Sequence, residues 1–204
     1  MPETTAFYIH GLGHVNLQKS ARAVLERNKR RGIDFRVAQF DWQHPISFID
    51  LLDSVTKQAF EVLNELSDEA TLVLEGSSAG GSLAFNLAQR LDDPRVRAVS
   101  HSGRLTVGKY AAWDPRNLNK AAHLGTQRAS QTFYDSVAHF ESIVGPSLNK
   151  EDKERMLITK PWADEVVPIS TMTIEGIRTV TVPMIGHGAG IGVGVLRLPS
   201  LLEL

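Results

Sequence analysis

Gly76, Ser78 and Gly80 fall at G-x-S-x-G spacing within TLVLEGSSAGGSLAFNLAQRL, residues 71–91, where an apolar run of strand length passes directly into an amphipathic helical pattern. A chain that reverses so sharply holds its central residue in strained geometry, and small neighbours at 76 and 80 keep the adjoining backbones from colliding. The Ser78 hydroxyl then projects at the carboxyl end of the strand. Backbone N–H groups and the positive pole of the following helix lie beside it, and both favour negative charge developing on a bound oxygen. A serine hydroxyl is a weak nucleophile at neutral pH, so this chemistry needs a base to take its proton, most often histidine. Seven histidines compete for that role. The plainer alternative for Ser78 is an ordinary helix cap at a strand-to-helix turn. Ser77, flanked by Gly76 and Ser78, lies off the motif's centre and is read as backbone support.

The elements that must position such a serine alternate along the chain. Strand-length apolar runs are expected at 6–9, 33–40, 71–75, 96–100, 156–159 and 180–184. Helical patterns fill the gaps: 17–31 with Leu17, Ala21, Val24 and Leu25 on one side, a longer one after Pro45 through Leu52, Val55, Ala59, Val62, Leu63 and Leu66, and one from Leu83 to Leu91. Such alternation is the mark of parallel strands joined by crossover helices. Strand character vanishes over 103–154, which reads as an insertion with a helix near 127–143. After the 180–184 strand the pattern ends in a Gly-rich stretch and a short apolar tail. One sizeable core fits 204 residues, so a single domain spanning 1–204 is expected.

Here the chain resembles the α/β-hydrolase family. YIHGLG, residues 8–13, looks like that family's His-Gly loop; PWADEVVP, residues 161–168, carries its D-x-V-V-P pattern; VPMIGHGAG, residues 182–190, ends a strand and sets His187 where the family keeps its base, in a Gly-flanked loop. The resemblance implies a three-layer fold with a mostly parallel sheet of about six strands, the N-terminal strands trimmed. It implies a nucleophile, acid and base in the order Ser78, Asp164, His187, with the N–H groups of Leu12 and Ala79 forming an oxyanion hole. The implied reaction is cleavage of a small carboxylic ester, thioester or amide through an acyl-enzyme, under a lid made by 103–154. The HGLGH loop lacks the extra glycines of the HGGG lipases. A second reading keeps the fold but not the turnover, as a protein that binds a ligand or partner silently.

Rival residues have their own readings. Glu165 and Asp41 compete with Asp164 as the acid. His10 is expected to tie down its loop by hydrogen bonding, and His101 to line the site. His10 and His14 share the spacing of helical zinc ligands, but Gly11 and Gly13 argue for a loop and no third ligand follows, so no metal is expected. The glycines at 186, 188, 190, 192 and 194 never fall as G-x-G-x-x-G, which removes a dinucleotide cofactor. Most aromatics among Tyr110, Trp113, Phe133, Tyr134 and Phe140 are expected to pack rather than to roof a pocket. A formal charge of -1, from 22 basic and 23 acidic residues, lacks the positive surface that phosphate backbones require, so nucleic acid is not an expected partner. The N-terminus resembles no signal peptide, no run spans a bilayer, and there is no cysteine, so a cytoplasmic protein is expected.

Overall fold

The apolar runs become the strands of one sheet because parallel strands are buried on both faces and so carry continuous rather than alternating hydrophobicity. The structure, a computed structural model, describes residues 4–12, 25–26, 28–42, 46–107 and 131–202. The strands are β1 Thr4–Ile9, β2 Ile33–Val37, β3 Thr71–Ser77, β4 Val96–His101, β5 Met156–Ala163 and β6 Arg178–Ile185. They form a six-stranded, wholly parallel sheet in the order β2-β1-β3-β4-β5-β6. The helices are α1 Phe48–Glu65, α2 Gly80–Leu91, α3 Gln131–His139, α4 Lys150–Glu154 and α5 His187–Leu202.

The two faces of the sheet bury different sets. Phe7, Ile9, Leu72, Leu74, Ala98 and Ile158 face α1, α2 and α3, together with Leu51, Val55, Leu83, Leu87 and Phe133. Ala6, Val73, Val99 and Leu157, one residue out of phase along the same strands, face the other way. Against that second face lies α5, packed on β4, β5 and β6. Ser47 caps α1 by accepting the Asp50 N–H at 3.1 Å. Phe133 and Phe140 are core residues, as expected of most of the aromatics. Tyr110 and Trp113, and 108–130 of the expected insertion, lie outside the described residues, as does most of the 17–31 helical pattern.

The C-terminal segment corrects the sequence reading. The Gly-rich stretch and tail form one helix, α5, that begins at His187 itself, so this histidine opens a helix instead of sitting in a loop. Gly186, with φ at +103°, supplies the left-handed turn between β6 and α5. Four glycines among the sixteen residues of α5 depress helix propensity, and tertiary packing overrides it.

Chain order reverses direction across the sheet between β1 and β3, since β2 lies outside β1 while β4, β5 and β6 extend the other way. Such a switch point opens a crevice beyond the carboxyl ends of the strands, where ligands bind in open α/β sheets. Close approach of the elbow to β1 closes its floor. A Cβ on Gly80 would overlap the Ile9 carbonyl, and one on Gly76 the Gly80 carbonyl. Both obstacles are backbone, so Gly80→Ala is expected to cost about 1–3 kcal/mol, as overpacking does, read from the urea unfolding midpoint.

Candidate active site

Ser78 takes φ of 53°, a left-handed conformation that a non-glycine residue adopts only under the constraint of its surroundings. Its N–H donates to the carbonyl of His101 at 2.9 Å, and its own carbonyl accepts the Gly81 N–H at 3.0 Å. The reversal is thereby pinned on both sides, and α2 starts two residues later, at Gly80.

β5 and β6 end beside this turn and bring two of the expected side chains to it. The His187 ring stands 2.8 Å from the Ser78 hydroxyl through Nε2 and 2.7 Å from an Asp164 carboxylate oxygen through Nδ1. A carboxylate only accepts, so the Nδ1 proton donates to Asp164 and Nε2 is left as the acceptor of the Ser78 hydroxyl proton. The other Asp164 oxygen accepts the N–H groups of Val166 at 2.8 Å and Val167 at 2.7 Å, which fixes the carboxylate plane. Burial pushes this carboxyl up, but the His187 hydrogen bond and the two backbone donors outweigh it and hold the group below its ordinary value. Its side chain is fully buried, whereas that of His187 keeps 13% exposure.

Gly11 borders the same hydroxyl. A Cβ on Gly11 would stand 3.0 Å from the Ser78 Cβ and 3.6 Å from its Oγ, so any side chain there would push the loop after β1 or Ser78 aside by a few tenths of an ångström. The His10 ring donates to the Gly11 carbonyl at 2.7 Å and stacks on Phe40 with centroids 4.4 Å apart. Trp42, fully buried, donates its indole N–H to the His10 carbonyl at 3.0 Å. Sequence reasoning missed Trp42, because only the fold brings it under the β1 loop.

The rivals separate cleanly. Glu165 does not face the His187 ring; its carboxylate accepts the His187 backbone N–H at 3.0 Å and so places negative charge at the N-terminus of α5. Glu165→Ala is expected to destabilise the protein by about 0.5–2 kcal/mol, the usual loss of an N-terminal cap, read from thermal unfolding. Asp41 lies exposed in the segment after β2. His101 corrects the sequence reading: its ring does not line the site but is wholly buried between Glu75 and Thr159 on the α5 face of the sheet. His14 lies outside the described residues.

Known structures share this fold. A metagenome-derived lipolytic enzyme of the LipS and LipT study matches with a TM-score of 0.65 at 14% identity, covering 99% of this chain and 94% of its own. The pyrethroid hydrolase PytH matches at 0.63 with 18% identity, covering 98% and 96%. Mouse alpha/beta hydrolase domain-containing protein 10 matches at 0.61 with 16% identity, covering 98% and 89%. No family model and no curated protein matches the sequence. The chain therefore has the α/β-hydrolase fold, over nearly its whole length. Among the described residues no helix is long and apolar enough to cross a membrane.

Proposed function

We propose that this protein is a serine hydrolase that cleaves a small carboxylic ester through an acyl-enzyme on Ser78. In the first half-reaction His187 Nε2 takes the hydroxyl proton as Ser78 Oγ bonds to the acyl carbon. The proton then passes to the departing alkoxide as the carbon–oxygen bond breaks. Water repeats the sequence on the acyl-enzyme, giving the acid and returning the proton to Ser78. Asp164 holds the ring in the tautomer that accepts from serine. The N–H groups of Leu12 and Ala79 receive the negative oxygen.

The observation that carries this reading is the unbroken line of two hydrogen bonds, 2.8 Å and 2.7 Å, joining Ser78, His187 and Asp164 at the switch point of the sheet. The lipolytic and pyrethroid-hydrolase names of the similar structures support ester cleavage over amide cleavage. A fluorophosphonate probe followed by peptide mass spectrometry tests it together with p-nitrophenyl esters of increasing chain length. Modification at Ser78 and turnover of at least the short esters are expected. Folded protein that neither labels nor turns over any ester would overturn the reading in favour of a silent binder.

A further inference from the structure

The α5 face of the sheet is apolar at its base, with Ala6, Ile33, Val73, Val99 and Leu157, but changes character two residues further along β1, β3, β4 and β5. There Tyr8, Glu75, Ser77, His101 and Thr159 stand side by side, all buried. His101 bridges this patch. Its Nε2 lies 3.0 Å from Glu75 Oε1 and its Nδ1 2.7 Å from the Thr159 hydroxyl, and all three side chains have no exposed surface. Burying an acid with a histidine is costly, and a well-packed apolar set in the same space is often as stable or more so. Stability alone therefore gives a poor reason for the patch, and its location gives a better one.

Helix α5 rests directly on it. A Cβ on Gly194 would lie 2.5 Å from His101 Nδ1 and 2.8 Å from Thr159 Oγ1. One turn nearer the N-terminus, a Cβ on Gly190 would lie 3.0 Å from Pro161 and 3.1 Å from the Ser102 hydroxyl. His187, Gly190 and Gly194 follow i, i+3, i+7 spacing and share one helix face. The height at which Gly194 meets the His101 ring thus sets where the first residue of the helix lands, roughly 10 Å away along its axis. His101 also touches the other half of the site, because its carbonyl accepts the Ser78 N–H at 2.9 Å. Asn28 holds α5 down from the far side, donating to the Val195 carbonyl at 2.9 Å.

We infer that His101, braced by Glu75 and Thr159, is a positioning residue for the proposed reaction: it gauges the distance between Ser78, through its backbone, and His187, through the seat of α5. This rests on the hydrolase reading above. Alanine is the better helix former at an interior position, so Gly194→Ala should strengthen an isolated helix. Here its methyl must lift α5 or displace the ring.

The test is a cycle of Gly194→Ala, His101→Ala and the double variant, each checked for folding by circular dichroism. Gly194→Ala is expected to lower kcat for p-nitrophenyl acetate by about 10–100-fold with KM within about twofold, the signature of a displaced reacting group. In the His101→Ala background the same step should cost far less, because the obstructing ring is gone. A readout free of turnover is the low-field proton of His187 Nδ1–H, identified by its disappearance in Asp164→Asn. This resonance is expected to move in Gly194→Ala and to move less in the double variant. Folded Gly194→Ala with kcat and resonance both unchanged would overturn the inference, as would strictly additive effects of the two substitutions. Wild-type protein inert towards esters and fluorophosphonate, with a resonance that still moves, would sink the hydrolase reading and leave the positioning role standing.

Discussion

Ser78→Ala is expected to lower kcat/KM on any ester the protein accepts by about 10⁴–10⁶-fold and to abolish fluorophosphonate labelling. The loss follows from the arrangement, since the group hydrogen-bonded to His187 Nε2, at 2.8 Å, is the Ser78 hydroxyl. Residual turnover of about 10³–10⁴ over water is also expected, because the proposed oxyanion donors, the Leu12 and Ala79 N–H groups, are left in place. Stability should respond in the opposite sense to activity. At φ of 53° any residue with a Cβ pays about 1–2 kcal/mol, while glycine forfeits about 0.4–1 kcal/mol through the freer unfolded chain. Ser78→Gly should therefore unfold in urea no earlier than Ser78→Ala, although neither turns over. A Ser78→Ala protein that retains more than about a hundredth of the wild-type rate would place the chemistry on another group.

What could be seen in the sequence and what could not divides along a physical line. GSSAG was legible because the constraint is local: a strand, a kink and a helix are contiguous, and the glycines that permit the close approach are the motif itself. The strands were legible because burial on both faces leaves apolar runs, and α1 and α2 because each carries a wide apolar stripe. The six-stranded parallel sheet followed from their alternation. α5 was not legible, since its glycines speak against a helix and only their contacts with Pro161, His101 and Thr159 explain them. Glu75 did leave a trace, as a lone acid within the buried run TLVLE, but its partner is fixed by the parallel register that sets Ser77 opposite His101. Trp42 left none. Its indole reaches the His10 carbonyl only after β1 and β2 have paired.

Asp164→Asn separates orientation from nucleophilicity, and is expected to lower kcat by about 10⁴-fold while leaving the fold intact. The amide oxygen must keep accepting the Val166 and Val167 N–H groups, because turning it away would leave two donors unmatched. The amide nitrogen then faces His187 Nδ1, which has to become an acceptor. The ring proton moves to Nε2, where it blocks acceptance from Ser78, so the serine is intact and idle. The wild-type carboxyl also has a signature in acid. Because the folded protein holds it below its ordinary value of 3.8, its ionised form stabilises the fold fully above that value. That contribution is lost as pH falls towards the lowered folded value, when the carboxyl takes up a proton. The stability difference between wild type and Asp164→Asn, measured by urea unfolding, should thus be flat near neutrality and shrink below about pH 4. A gap unchanged down to about pH 2 would contradict the hydrogen-bonded carboxylate. A kcat within about tenfold of wild type would contradict the tautomer it imposes on His187.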